Sequence, residues 1–152
     1  MNNEKELKML SYLRKNGRER LTKISRQTKM PVSTLFDMLQ KTNKIVKNTC
    51  LLDFSKLGFS IRANVILKVK PTQRTQLKEF LINYVNLNSL YQINNGYDFM
   101  VEVVCQELDE LETFLEKIED DFDIVEKNVY YIIKDIAREQ FLSNPNSLLF
   151  LN

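Results

Sequence analysis

Few side chains of this sequence have the type and spacing that acid–base or metal chemistry needs. The chain of 152 residues contains no histidine, which excludes Ser-His and Cys-His nucleophile pairs and histidine metal ligands. The acidic run Glu119, Asp120, Asp121 and Asp123 lacks the central glycine and final glutamate of a calcium loop, and is interpreted as a solvated helix end. An enzyme is therefore the least favoured class, and no catalytic residue, cofactor or metal ligand is predicted.

The cysteines and glycines exclude further kinds of site. Cys50 and Cys105 lie far apart in apolar, strand-like runs, and we expect buried thiols in a reducing cytoplasm rather than a disulfide or zinc site. The three glycines stand singly, so the sequence has neither a Walker A loop nor a Gly-x-Gly-x-x-Gly fingerprint. No apolar run approaches the ~20 residues that cross a bilayer. The sequence predicts a cytoplasmic protein with no membrane partner.

Charge is segregated along the chain and indicates the class of partner. Residues 1–60 carry 13 Lys and Arg against 5 Asp and Glu, a net charge of +8, whereas residues 61–152 carry 9 against 15, a net charge of −6. A compact segment at +8 attracts polyanions, and a segment at −6 is repelled by them. The first part of the chain is therefore predicted to bind nucleic acid; solvation of two differently charged faces is the alternative explanation.

Three short helical patterns precede residue 45 and predict a helix-turn-helix. Apolar residues recur at helical spacing after Glu4, a weaker pattern covers residues 21–29, and Pro31 suits the first position of a third helix. The β-prone residues 45–52 are interpreted as a small hairpin beside that helix, a wing. The sequence thus predicts a winged helix-turn-helix DNA-binding domain over residues 1–52 and a linker over 53–60.

Helix-turn-helix geometry identifies the candidate DNA contacts. The third helix enters the major groove, where its outward positions reach base edges or the first phosphates, while basic side chains around it contact phosphates. Asp37 repels phosphate there unless it accepts a hydrogen bond from a cytosine amino group. The predicted DNA-binding residues are Lys23, Arg26, Lys29, Val32, Ser33, Thr34, Phe36, Asp37, Lys41, Lys44 and Lys47.

Residues 61–138 alternate strand and helix patterns in the order βαββαβ, which predicts a ferredoxin-like domain; residues 139–152 form a C-terminal tail. Asn95-Gly96 supplies a hairpin turn. Right-handed crossovers place both helices on one sheet face, so the opposite face is expected to pack against a second copy. A half-solvated polar face is the alternative. The predicted dimer interface consists of Ile66, Met100, Val104, Tyr130 and Ile132.

Three segments of the chain resemble the feast/famine (Lrp/AsnC) transcription regulators, and the resemblance extends from about Glu4 to Glu139. ISRQTKMPVSTL is similar to the family's second helix, turn and start of the recognition helix. IVKNTCLLDFSKLGFSIRANVILKV resembles its wing and linker, and INNGYDFMVEVVCQELDELETFL its hairpin turn, third strand and second helix. The resemblance implies an α+β fold in which a winged helix-turn-helix precedes a ferredoxin-like regulatory domain that dimerises through its sheet and often assembles further into octamers.

The resemblance also implies an effector. Family members bind amino acids between regulatory domains, and the hairpin turn of Asn95, Gly96, Tyr97 and Asp98 matches that effector site.

Two hypotheses follow from these patterns. The first is a sequence-specific transcriptional regulator, dimeric or octameric, that binds double-stranded DNA and responds to an amino acid. The second is a small-molecule sensor or assembly module whose head does not read DNA, because Asp37 is acidic and no arginine lies near it in the third helix.

Overall fold

The computed structural model describes residues 2–150, the side chains of residues 2, 3, 149 and 150 excepted, and divides into two compact units. The first unit comprises residues up to Leu51 together with those from Ile136 onward, and the second comprises Leu52–Asp135. The tail positions 151 and 152 lie outside the described residues. Among the described residues, no helix is long and apolar enough to cross a lipid bilayer.

The first unit is built on three helices, α1 (Asn2–Lys15), α2 (Leu21–Thr28) and α3 (Val32–Lys41). Each presents one apolar side to a common core, whose buried side chains are Met9, Ile24, Met30 and Leu35. A three-residue turn joins α2 to α3, with Lys29 in the left-handed region at φ 58°. Pro31 is the N-cap of α3, so the helix begins at Val32, one position after the start at Pro31 that the sequence predicted. The helix-turn-helix prediction is confirmed.

The hairpin predicted over residues 45–52 is wrong, because residues 43–53 form no strand and no ladder of backbone hydrogen bonds. Val46 is 99% exposed, so these β-prone side chains have no packing surface that would hold a strand in register. Cys50 lies in this segment and is exposed, which corrects the prediction of a buried thiol, whereas Cys105 is buried as predicted.

The second unit is a four-stranded antiparallel sheet covered by two helices. Its elements are β1 (Ile61–Val69), α4 (Arg74–Ile82), β2 (Leu87–Gln92), β3 (Phe99–Cys105), α5 (Leu108–Asp121) and β4 (Ile124–Tyr131). The strand order is β2-β3-β1-β4, so each crossover skips one strand, as the predicted ferredoxin-like order requires. Asn95 and Gly96 have φ angles of 63° and 88°, which are the positive values that their hairpin turn needs.

Both helices pack on the same face of the sheet. Alternate residues of β1 and β3 are buried beneath α4 and α5, and the largest fully buried side chains there include Leu67, Leu77 and Phe114. The opposite face carries Ile66 paired with Met100, Arg62 paired with Val104, and Asn64 paired with Tyr130. We call it the outer sheet face. Because no helix of this unit covers it, its side chains define what the unit offers to a partner.

The last strand is shorter than the sequence predicted. The apolar pattern runs from Val125 to Ile136, but β4 ends at Tyr131, and Ile133 and Ile136 are 97% and 95% exposed. β4 ends here because its partner strand, β1, begins at Ile61. The last hydrogen bond between the two segments runs from the Ile132 N–H to the Arg62 carbonyl at 2.9 Å. Beyond that point the chain has no strand to pair with.

The C-terminal tail belongs to the first unit. Arg14 of α1 pairs with the Glu139 carboxylate, and its Nε donates a 3.4 Å hydrogen bond to the Phe141 carbonyl. Pro145–Phe150 forms a 3-10 helix that contacts α1.

Candidate nucleic-acid interface

Helix α3 exposes one face while the other is fixed in the core of the first unit. Leu35 is fully buried, and Met38 and Leu39 pack around it, which fixes the rotation of the helix about its axis. Thr42 ends the helix, and its hydroxyl donates a 2.7 Å hydrogen bond to the Glu6 carboxylate on α1. The remaining side of α3 is therefore a rigid, solvent-exposed surface of the kind that reads a DNA groove.

All eleven predicted DNA-binding residues are exposed, and they fall on four consecutive pieces of the first unit. Six lie on α3, including the apolar Val32 and Phe36, which are 40% and 52% exposed. The basic residues flank this helix in sequence, on α2, in the turn at Lys29, and after the end of α3 at Lys44 and Lys47. The first unit carries 12 basic and 4 acidic residues over positions 1–51 and one of each after position 135, so it concentrates the positive charge of the chain.

Two of the predicted phosphate contacts already have acidic partners. Lys23 Nζ lies 2.8 Å from a Glu19 carboxylate oxygen, and Lys44 Nζ lies 2.6 Å from a Glu6 carboxylate oxygen. Hydrogen bonds from Lys44 and then Thr42 lower the pKa of Glu6 below its usual value. Because surface ion pairs are worth only about 0 to 1 kcal/mol, phosphate can compete for these lysines. Glu19 and Glu6 nevertheless neutralise part of the positive charge of Lys23 and Lys44, so these two lysines contribute less to phosphate binding than the sequence pattern indicated.

Sequence analysis missed Gln40 on the exposed side of α3. It is exposed and follows Phe36 by four residues, so the two side chains are neighbours on one helix face. An amide can bond both N6 and N7 of adenine in the major groove, which makes Gln40 a candidate base contact. The sequence could have indicated Gln40 through its i, i+4 spacing from Phe36, which is itself predicted to contact DNA.

The second unit contains an open cleft of about 450 Å³ between the start of α4 and the β2–β3 hairpin. Two of the four predicted effector residues, Tyr97 and Asp98, line it, whereas Asn95 and Gly96 form the adjoining turn and do not. The remaining lining residues, which sequence analysis missed, are Arg74, Thr75, Lys78, Gln92, Ile93 and Phe99. No local motif marks them, because the cleft joins residues 74–78 with residues 92–99, two separate segments of the sequence.

Opposite charges meet in this cleft at a buried carboxylate. Asp98 is 8% exposed; one of its oxygens lies 2.6 Å from Arg74 Nε and the other accepts a 2.9 Å hydrogen bond from the Val69 N–H. Among the described side chains, none forms an ion pair with the exposed Lys78. The cleft thus offers a cation and a carboxylate side by side, which suits a small zwitterion.

Tyr97 is fixed on the sheet side of that cleft. Its hydroxyl donates a 2.5 Å hydrogen bond to the Glu126 carboxylate and accepts one of 3.0 Å from Asn128 Nδ2. The bond to the Glu126 carboxylate raises the pKa of Tyr97, because it stabilises the protonated hydroxyl. Tyr97 is therefore a neutral, oriented group at neutral pH.

The outer sheet face mixes apolar side chains with paired charges. Ile66 and Met100 are half-buried neighbours and Tyr130 is 58% exposed, while Val104 is already buried within the monomer at 8% exposure. Ile132 follows the end of β4 and is half-buried. Of the five predicted interface residues, Val104 can therefore add little new contact area with a partner.

Comparison with known proteins identifies relatives with assigned roles. No family model matches the chain. The chain is 27% identical over 118 residues to the HTH-type transcriptional regulator FL11 of Pyrococcus abyssi, covering 76% of this chain and 78% of the relative. The corresponding regulator of Pyrococcus horikoshii is 28% identical over 118 residues, with the same shares covered. These relatives are transcriptional regulators rather than enzymes.

Solved structures share the fold over most of the chain. B. subtilis LrpC matches with a TM-score of 0.77 at 19% identity, covering 88% of this chain and 95% of that chain. E. coli AsnC matches with a TM-score of 0.76 at 15% identity, covering 88% and 93%. A regulator from Neisseria meningitidis, NMB0573 in complex with L-Met, matches with a TM-score of 0.79 at 13% identity, covering 88% and 91%. At these identities the structures establish the fold.

Proposed function

We propose that this chain, which has the fold of the feast/famine (Lrp/AsnC) regulators, is a sequence-specific DNA-binding transcriptional regulator. The observation that carries the proposal is the exposed face of α3 in a unit whose residues 1–51 carry a net charge of +8. The transcriptional-regulator relatives support the same function.

In this proposal α3 lies in the major groove. Ser33, Thr34 and Gln40 hydrogen-bond to base edges, and Asp37 accepts a hydrogen bond from a cytosine amino group. The basic side chains of α2, of the turn and of the segment after α3 contact phosphates, which orients the unit without reading sequence. Arg26, Lys29 and Lys41 carry more of this role than the ion-paired Lys23 and Lys44.

A dimer follows from the outer sheet face, where Ile66, Met100 and Tyr130 pack against a second copy. Two heads related by twofold symmetry would contact successive major grooves about 34 to 36 Å apart, so the preferred sites are palindromic. In this proposal dimers assemble further into octamers. This step depends only on the resemblance to the feast/famine regulators. Ile66→Glu introduces a charge into the interface, and sedimentation would detect the resulting monomer.

An amino acid is the proposed effector of the cleft. Lys78 pairs with the carboxylate of the amino acid, and Asp98 accepts a hydrogen bond from its ammonium group. This bond replaces part of the contact between Asp98 and Arg74. The solved neighbour in complex with L-Met supports this class of ligand. A ligand at 100 times its dissociation constant adds about 2.7 kcal/mol to the stability of the folded state, so a thermal shift with a panel of amino acids tests the assignment.

Lys78→Gln should abolish the thermal shift, and Lys134→Gln, an exposed lysine of the same unit outside the cleft, should not. The second candidate function is the small-molecule sensor, which the chemistry of the cleft favours. A thermal shift with an amino acid, together with no binding of this protein to duplex DNA, would support the sensor instead.

Fluorescence anisotropy with labelled duplex DNA at several salt concentrations tests the main proposal. Each phosphate neutralised should contribute about −0.9 to the slope of log K against log salt. Arg26→Gln or Lys41→Ala should weaken binding to all duplexes and make the slope shallower, while the control Lys134→Gln leaves both unchanged. Affinity that is independent of salt, or equal in Arg26→Gln and the wild type, would refute DNA binding through this surface.

A further inference from the structure

Two apolar side chains project from the surface that the proposed function assigns to DNA. Val32 and Phe36 are 40% and 52% exposed, and neither belongs to the core of the first unit, which Leu35, Met38 and Leu39 contact from the other side of α3. Four residues separate them, so they are neighbours on one helix face. An apolar pair at the centre of a basic unit would lie poorly against phosphates, but it suits an apolar feature of the groove.

We propose that Val32 and Phe36 recognise the C5-methyl groups of thymines, and that this contact is the main source of sequence preference of the protein. The inference depends on the proposed DNA-binding function and specifies the base that it reads. The thymine methyl is the one apolar group that a base pair presents in the major groove, and aromatic or aliphatic side chains contact it.

The other side chains of α3 narrow the preference further. The commonest specific contact in the major groove is an arginine or lysine bound to guanine, yet α3 contains no arginine and its single lysine, Lys41, is the last residue of the helix. Gln40 pairs with adenine rather than guanine. Apart from the cytosine that the proposed function assigns to Asp37, the exposed face of α3 therefore favours A·T base pairs, with thymine contacts at its N-terminal end and adenine contacts about one turn later.

The spacing of the pair sets the spacing of the thymines. Four residues of helix advance by about 6 Å, which is close to the ~7 Å between bases two steps apart on one strand, at about 3.4 Å a step. When α3 lies along the groove, Val32 and Phe36 therefore reach thymines one or two base pairs apart.

Uracil substitution tests the inference without altering the protein. Duplexes that bind most tightly would be enriched from a random pool, and each thymine in the enriched site would then be replaced by uracil, which removes only the methyl group. We expect the dissociation constant to rise about threefold to fourfold for each contacted methyl, because the complex loses the burial of one methyl-sized apolar group. Uracil at the other thymines should leave the constant unchanged.

Phe36→Ala identifies the side chain involved. It should weaken binding to the enriched site by about tenfold, should leave binding to random duplex nearly unchanged, and should remove the uracil effect at one position. Phe141→Ala is the matched control, because Phe141 lies in the same unit and is 70% exposed, outside the helix-turn-helix. It should keep the wild-type affinity and the wild-type response to uracil.

The outcomes separate this inference from the proposed function. If the protein binds no duplex in a salt-dependent manner, the proposed function fails and the inference fails with it. If it selects a DNA sequence but uracil changes nothing at any position, or if Phe36→Ala keeps the full uracil response, the inference alone is overturned. It is overturned equally if Phe36→Ala alters sedimentation rather than DNA affinity, since Phe36 would then contact protein.

Discussion

Arg62 on β1 and Glu102 on β3 form an ion pair on the outer sheet face that is almost closed to solvent. Nη2 and Nε of Arg62 donate hydrogen bonds of 2.7 and 3.2 Å to one Glu102 oxygen, and the other oxygen accepts a 2.7 Å bond from Asn88 Nδ2. The side chains are 15% and 11% exposed. Nη1 of Arg62 lies 2.7 Å from an Asp135 oxygen, so the pair and its partners link four segments of the second unit.

Glu102→Gln should destabilise the second unit by about 1 to 3 kcal/mol, because Arg62 loses a charged acceptor in a site where water replaces it poorly. Chemical denaturation monitored by tyrosine fluorescence would measure the loss. Glu119→Gln is the matched control, since the Glu119 carboxylate lies 2.8 Å from Lys127 but is 47% exposed. Its cost should stay below about 1 kcal/mol, and equal costs for the two variants would contradict the role of burial.

Stability should depend on pH through the same carboxylate. Burial raises the pKa of Glu102, but hydrogen bonds from Arg62 and Asn88 outweigh burial and hold the pKa below its usual value of 4.5. A group whose pKa is lowered in the folded state stabilises that state above the unfolded pKa and loses this contribution as the pH falls through the folded pKa. Melting temperatures between pH 6 and 3 should therefore fall less steeply in Glu102→Gln than in the wild type, and parallel curves would exclude the linkage.

Ser11→Ala should stabilise the first unit or leave it unchanged. The Ser11 hydroxyl on α1 is fully buried, and among the described residues it has no hydrogen-bond partner. A buried polar group without a partner costs about 1 to 3 kcal/mol, and alanine removes it and also favours the helix. Thermal unfolding followed by the circular dichroism of the helices would measure the effect. A rise of a few degrees in the melting temperature would agree with this account. A loss of stability would show that the hydroxyl has a bonding partner in solution.

Gly96→Ala should destabilise the β2–β3 hairpin by about 1 to 2 kcal/mol. Gly96 has a φ of 88°, and a methyl group there would meet no atom within 4 Å, so the cost comes from the backbone alone. Gly17→Ala is the control, because Gly17 lies outside the left-handed region and its added carbon would come no closer than 3.9 Å to another atom. That variant should keep or slightly raise stability. Thermal unfolding that fails to distinguish the two variants would contradict the turn geometry.

Asp37→Asn should raise the affinity for duplex DNA of random sequence by about fivefold, because a carboxylate about 4 Å from a phosphate costs about 1 kcal/mol in water. It should also reduce any preference for cytosine at the contacted position. Asp120→Asn, on the exposed end of α5, provides the control for net charge and should change neither property. Unchanged affinity in Asp37→Asn would place Asp37 outside the DNA contact.

Local patterns were sufficient to predict most of the elements. The helical spacing of apolar residues identified α1, α2 and α3, and period-two alternation with the Asn95-Gly96 turn predicted the sheet and its hairpin. The charge difference between the two parts of the chain was also visible in the sequence. These features depend on neighbouring residues or on simple counts, so the chain needs no tertiary contact to display them.

Tertiary structure decided what depends on distant partners. The β-prone residues 45–52 form no hairpin and β4 stops at Tyr131, because a strand needs another strand beside it and sequence alone does not show where pairing ends. Only the fold brings Arg74 to Asp98 in the cleft, Arg62 to Glu102 in the sheet, and the tail to Arg14. Each of these contacts joins residues more than twenty positions apart, so no local pattern of the sequence indicates them.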